Sequence, residues 1–185
     1  MRQLEDLFYN DYLHQVMTAV AVFSGIAIDL QKYRIHFYFS SMHVKIRPAQ
    51  RKDAERIAIL CEQLGYTATP PQVQERLAHI QHNEAHIVYI AVINDFVVGL
   101  AHAHACDLVI EPKQAILFGL VVDEDYRHNG IGQLLMQHIE QWASSVGCQQ
   151  VVIRSNIKRK QAHDFYQKIG YANIKQSLTF FKALI

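Results

Sequence analysis

The sequence predicts an α/β domain of the α+β type: a mixed, mostly antiparallel sheet flanked by helices, with one parallel strand–helix–strand unit. Three observations predict it. Strand-patterned and helix-patterned stretches succeed one another from Val44 to the end of the chain. Two of the strands flank a tight Asn94-Asp95 turn, which makes them an antiparallel hairpin. The apolar run ending at Val122 reaches the next strand, Val151–Ser155, through one long helix, and that connection requires a parallel, right-handed crossover.

Residues 1–41 differ from the rest of the chain and are read as an N-terminal extension; the patterned domain is 42–185. The extension has an acidic start (Glu5, Asp6, Asp11), an apolar run from Val16 to Ile28 and an aromatic patch from Tyr33 to Phe39. It lacks the basic front end of a secretory signal, and the run falls short of the roughly 20 residues of a membrane span. An accessory helix, an interaction segment and a translated upstream stretch are the three readings. Met42, directly before the first strand, favours the last, and no function is assigned here.

Val44-Lys-Ile-Arg-Pro alternates as a strand and stops at Pro48. Ile57, Leu60, Cys61 and Leu64 recur at helical spacing up to a C-capping Gly65. Thr69-Pro-Pro-Gln starts a second helix, with Thr69 as N-cap, prolines in the first turn and Gln72 closing a capping box. Val73, Leu77 and Ile80 mark its buried face. The hairpin strands are Ile87–Ile93 and Phe96–Cys106, and Gly99 suggests a bulge or a close backbone approach. Ala115–Val122 is almost wholly apolar, as in a central strand covered on both faces. The helix Gly130–Val146 carries the stripe Ile131, Leu134, Leu135, Ile139, Trp142, Ala143 and Val146, and Gly147 ends it. A last helix from about Arg159 to Ile169 stops at Gly170, and strand material is expected at Tyr171–Ile174 and Leu178–Leu184.

Composition narrows the function. Of 185 residues 50% are hydrophobic and 19% charged, enough for one real core. A net charge of +1 points to neither nucleic acid nor an anionic membrane as partner. Cys61, Cys106 and Cys148 are odd in number and lack metal-ligand spacing, which suits reduced thiols in the cytoplasm. Eleven histidines include His102 and His104, two apart on one strand face, but no pair has a third ligand at zinc-site spacing, so no metal is expected.

The chemistry concentrates in Arg127-His-Asn-Gly-Ile-Gly, between a buried strand and an amphipathic helix. Such a turn leaves amides unpaired at the positive end of a helix dipole, a site for phosphate. Gly130 and Gly132 let backbone approach an anion, and Arg127 adds a charge-assisted contact. A Rossmann fingerprint fails for want of its third glycine and an early βαβ unit, and a Walker loop for want of Gly-Lys-Ser/Thr. The stretch resembles motif A of the GNAT superfamily of N-acetyltransferases, pattern Gln/Arg-x-x-Gly-x-Gly/Ala. Ser155-Asn-Ile-Lys-Arg-Lys-Gln-Ala-His-Asp-Phe-Tyr-Gln-Lys-Ile-Gly-Tyr, ending at Tyr171, resembles the motif B pattern of the same family. Arg47-Pro-Ala, the acidic turn at Asp123 and the Phe-Val-Val-Gly hairpin accord with it, so the resemblance covers about residues 42–185.

The resemblance implies acetyl-CoA as donor. Its pyrophosphate would lie on Arg127, His128, Asn129, Gly130, Ile131 and Gly132, and its pantetheine arm against the backbone of Leu120, Val121 and Val122 and against Asn156. Tyr166 matches the tyrosine that protonates the departing thiolate, and a phenol is protonated at neutral pH. Plainer roles stand beside these: Tyr166 as core, Asn156 as a cap, Arg127 as solvated, Arg159 and His163 as structural hydrogen-bonders. Phe118 stands where many relatives carry a glutamate base. His102, His104, Glu111 or a water chain could act instead, or a partly neutral amine could need no base. The expected activity is direct transfer of acetyl to a primary amine, most simply of a small molecule. A protein amine and a non-catalytic acyl-CoA sensor are the rivals, and a homodimer is left open.

Overall fold

The structure, a computed structural model, describes residues 43–184; the N-terminal extension, residues 1–41, and its three readings lie outside them. Five strands form one sheet in the order β1-β2-β3-β4-β5: Lys45–Pro48, His86–Ile93, Phe96–Cys106, Gln114–Val122 and Gln150–Ile153. The first four pair antiparallel, and β4 pairs parallel with β5, as the crossover rule requires. Helices α1 (Ala54–Leu64), α2 (Pro70–Gln81), α3 (Ile131–Ser145) and α4 (Lys160–Lys168) flank it. None of the described helices is long and apolar enough to cross a membrane.

Local chemistry sets the element ends. Gly65 caps α1 at φ 94, a left-handed angle that glycine adopts freely. At α2 the Thr69 amide donates to Gln72 Oε1 at 3.0 Å, completing the capping box read from the sequence. Asn94 and Asp95 take φ 47 and 64, both central residues left-handed, as a two-residue hairpin turn demands. Ile57, Leu60, Val73 and Leu77 from α1 and α2 bury against Ile90, Val92, Leu100 and Val121 of the sheet. On α3, Ile131, Leu135, Ile139 and Ala143 are buried as the stripe predicts, and Met136, outside that stripe, is buried with them.

Two bulges interrupt the sheet. Between β2 and β3 the register shifts at Ala91/Val92, so Val98 is extra, and its carbonyl accepts from the Asp123 amide at 2.9 Å. A Cβ on the neighbouring Gly99 would lie 3.1 Å from Leu135 Cδ1 and 3.3 Å from the Val121 carbonyl oxygen, so Gly99 marks both a bulge and a close approach. Between β3 and β4, His102 pairs with Gly119 but Ala103 pairs with Leu117, and Phe118 is the extra residue.

Two expectations need correction. β4 is not covered on both faces, because Phe118 is 58% exposed; the bulge turns its ring onto the open part of the face. Residues 171–184 form no strand. Tyr171 bonds back to the Tyr166 carbonyl at 2.9 Å, and after it no backbone hydrogen bond is made within the described residues. Ile174, Leu178, Phe180, Phe181 and Leu184 stand exposed. Apolar alternation favours a strand only where a partner edge accepts its amides, and here the edge strand β5, only four residues long, is not extended by them.

Candidate active site

The β4–β5 ladder ends at Leu117↔Ile153, while β4 runs on to Val122. From Phe118 onward β4 therefore has no strand of the described residues beside it on its β5 side, and a gap opens there. Leu120, Val121 and Val122, singled out from the sequence, line this free edge. Val121 turns its side chain into the core formed with α1 and α2. The Val122 carbonyl is already engaged, accepting from Arg127 Nε at 3.0 Å.

After β4 the chain makes a tight acidic turn. Asp123 is buried; its carboxylate meets Arg56 Nη2 at 2.6 Å and accepts from the Asp125 amide at 3.2 Å. Burial alone would raise the Asp123 carboxyl, but the hydrogen bonds from Arg56 and the Asp125 amide win and hold it below the usual range. Arg56 also donates Nε to the Val97 carbonyl at 3.2 Å and lies 4.1 Å over the Phe96 ring. One arginine of α1 thus ties the start of β3 to the end of β4. Gln63, about two turns further along α1, takes the Glu124 amide at 3.0 Å and Arg127 Nη2 at 3.3 Å on its Oε1. Neither Arg56 nor Gln63 stands out in the sequence, since both partners lie more than sixty positions away.

The loop beyond is built for an anion. His128 and Gly130 have φ 66 and 77, and the Asn129 side-chain amide donates to the Tyr126 and Arg127 carbonyls, folding the turn around itself. The first α3 amide to bond back is that of Leu134, to the Gly130 carbonyl at 3.0 Å, so the Ile131, Gly132 and Gln133 amides ahead of it are donors without an acceptor among the described residues. A Cβ on Gly130 would meet nothing within 4 Å, which leaves the loop mouth open. A Cβ on Gly132 would sit 3.2 Å from Phe165 Cζ, so here glycine is needed to seat α4 against the loop. These residues fit a pyrophosphate: open approach, unpaired amides and the positive end of a fifteen-residue helix.

Motif B divides between holding and presenting. Asn156 Oδ1 accepts from the Lys158 amide at 2.9 Å, and its carbonyl accepts from the Arg159 amide and lies 3.1 Å from His163 Nε2. Asn156 thus braces the turn into α4. Arg159 reaches the Leu64 carbonyl at 2.7 Å, joining α4 to the end of α1, so Arg159 and His163 have structural partners. Tyr166 differs. Its ring lies edge-on to Phe165 and Tyr171, burial raises its phenol, and its hydroxyl bonds to no described residue. The neighbouring Tyr171 donates its hydroxyl to Glu140 at 2.7 Å and is committed.

Beside the gap, the open face of β2, β3 and β4 carries a cluster of rings. His86 Nδ1 lies 3.2 Å from His102 Nε2, the His86 and His104 ring centres are 4.2 Å apart, and Phe118 lies 5.4 Å from His102. Burial, then the two neighbouring imidazoles, push His102 down to about 4, so it is neutral at physiological pH. No carboxylate stands at Phe118, and Glu111 falls in the exposed loop before β4. Nothing in the sequence alone points to His86; its cross-strand position opposite His104 appears only with the register. Among the described residues, no three His, Cys, Asp or Glu side chains are placed to hold a metal.

A family model described as Acetyltransferase (GNAT) family matches residues 52–171. The human N-alpha-acetyltransferase 30 is 27% identical over 103 residues, 54% of this chain and 28% of that protein. An aminoglycoside N(6')-acetyltransferase type 1 of Acinetobacter genomosp. 13 is 31% identical over 68 residues, 37% of this chain and 47% of that protein. The chain thus matches about half or less of the length of these curated relatives. Among solved structures, an aminoglycoside 6'-N-acetyltransferase of Acinetobacter baumannii superposes with TM-score 0.68 at 19% identity, covering 77% of this chain and 99% of that one. An aminoglycoside N-acetyltransferase in complex with CoA gives TM-score 0.69 at 18% identity, over 78% of this chain and 97% of that one. With the family model spanning both the glycine loop and the motif B helix, the chain belongs to the GNAT family of acetyltransferases.

Proposed function

We propose that this protein transfers the acetyl group of acetyl-CoA directly to the primary amine of a small molecule. The observation that carries the reading is the pairing of two unsatisfied features joined by the packing of Phe165 on Gly132. Among the described residues, unpaired amides follow Gly130, and a protonated phenol without a hydrogen-bond partner, Tyr166, stands on the helix seated against the same loop. In this reading the loop Arg127–Gly132 holds the pyrophosphate, and the free β4 edge at Leu120–Val122 guides the pantetheine arm. Asn156 keeps its bracing role and faces the same arm.

Acetyl-CoA supplies an activated thioester. The amine nitrogen bonds to its carbonyl carbon, the carbon–sulfur bond breaks, the departing thiolate takes the Tyr166 hydroxyl proton, and the proton shed by the nitrogen passes through water to restore the phenol. Direct attack suits the residues present: Cys61 and Cys148 are pushed toward the thiol form by burial, Cys106 beside His104 pairs with Gln114 at the end of β4 away from the gap, and no described serine has a base with an orienting partner. All three cysteines are free, which accords with a reducing cytoplasm. A small-molecule acceptor is supported by the aminoglycoside acetyltransferases among the relatives and by a glucosamine-6-phosphate N-acetyltransferase of Arabidopsis thaliana, TM-score 0.65 at 19% identity over 75% of this chain and 98% of that one.

A protein N-terminus is the second reading, favoured by the match to N-alpha-acetyltransferase 30. Thiol release from acetyl-CoA, measured against a panel of small amines and of short peptides with free N-termini, tests both. Release with small amines supports the proposal and release confined to peptides supports the second reading. Release with neither, from protein that binds CoA, would leave only a CoA-sensing role.

A further inference from the structure

We infer that the rings of Phe118, His86, His102 and His104 form the floor of the acceptor site, and that this floor selects a single amine carried on a flat aromatic body over a polycation. The inference rests on the acetyl-transfer reading above and adds the acceptor class.

Three observations place the cluster. Phe118 is the first β4 residue past the last β4–β5 pair, so its ring borders the mouth of the gap where the acetyl group would end. The bulge at Phe118 puts its ring beside both His102 and His104, with centres 5.4 and 6.2 Å away, on the face where Leu100 and Val88 pack into the α1–α2 core. The cluster therefore continues the core face outward from that core, as a half-buried patch ending in the 58% exposed ring of Phe118.

Its chemistry is uniform. The titratable groups in contact are the three imidazoles and Cys106, whose sulfur lies 3.0 Å from His104 Nδ1. No described carboxylate forms an ion pair or a hydrogen bond with any of them. Among the described residues, the charges that act on His86 and His102 come from other imidazoles. Ring faces stack well on a flat apolar body, and one ammonium group can be held by a ring face and a neutral imidazole nitrogen. A second or third ammonium brought onto this patch would lose water and gain no counter-charge. An aminoglycoside or polyamine is thus a poor fit, although relatives are named for aminoglycosides.

The test compares kcat/KM for 2-phenylethylamine, kanamycin and spermidine at saturating acetyl-CoA. The expected order puts 2-phenylethylamine several-fold to about tenfold ahead of both polycations, the scale of one good aromatic contact. Phe118→Leu, which keeps an apolar side chain, should raise KM for 2-phenylethylamine several-fold with KM for acetyl-CoA unchanged. Phe118→Glu, at an exposed position that tolerates charge, should bring the polycations level with or ahead of 2-phenylethylamine. A wild-type preference for kanamycin or spermidine, or a Phe118→Glu variant with the wild-type order, would overturn the acceptor class while leaving acetyl transfer intact. Absence of thiol release with all three amines and with the wider panel would instead remove the acetyl-transfer reading itself.

Discussion

The two ends of the gap are built from different materials. The loop end, Val122 to Gln133, is made of backbone: left-handed angles at His128 and Gly130, amides without acceptors among the described residues, and a glycine at 132 that admits Phe165. The ring end, around Phe118 and His102, is made of side chains brought together by register and one bulge. A backbone site recognises what every acetyl donor shares, while a side-chain site can change with each substitution. The difference explains why cofactor chemistry is readable from a motif and acceptor chemistry is not.

The sharpest test of this division is at Tyr166, on the helix packed against the loop end through Phe165. Tyr166→Phe removes only a hydroxyl; it should lower kcat by about a hundredfold or more, the usual worth of a general acid, and leave KM for acetyl-CoA unchanged. Steady-state kinetics with both substrates varied would show this, and an unchanged kcat would return Tyr166 to a packing role.

Next in size is Gly132→Val. Its side chain must displace the Phe165 ring, at an overpacking cost of about 1–3 kcal/mol, and the loop would lose its seat on α4. Calorimetric titration should show CoA binding weakened by about ten- to a hundredfold. Gly130→Ala is the contrasting variant: its Cβ meets open space, so only the left-handed strain remains, about 1–2 kcal/mol, and it appears in stability.

A smaller effect is expected at the clamp beneath the loop. Asp123→Ala leaves the half-buried Arg56 without its carboxylate, costing about 1–3 kcal/mol and lowering Tm by several °C. The clamp also sets a pH dependence. The folded Asp123 carboxyl titrates below its unfolded value, so its contribution is complete above the ordinary carboxylate range and is lost as pH falls through the folded value. Wild-type Tm should therefore fall more steeply below about pH 4 than that of the variant. Parallel acid melts would show no clamp if the two curves stayed parallel.

The smallest effect belongs to Arg127→Ala. Its guanidinium is already shared between Val122 and Gln63, so CoA affinity should drop only a few-fold, and more at low salt than at high.

Legibility in the sequence obeys the same division. Features that one short segment decides are readable: the capping box at Thr69, the Asn94-Asp95 turn, the α3 stripe and the glycine loop. Features that depend on which strand lies beside which are not. Arg56 and Asp123 are 67 positions apart, and His86 meets His102 and His104 only through the register. The bulge that exposes Phe118 leaves no mark in an apolar run. The strands expected after Gly170 fail for the same reason, since an apolar pattern cannot name a partner edge.

Everything proposed for the cofactor depends on the unpaired amides at the start of α3 receiving the pyrophosphate of CoA. Amide-resolved NMR during a CoA titration reads those amides one by one. Saturable shifts are expected at Gly130, Ile131, Gly132 and Gln133, and they should be absent when pantetheine, which has no pyrophosphate, replaces CoA. Saturable CoA binding that leaves those four amides unmoved would show that the pyrophosphate lies elsewhere.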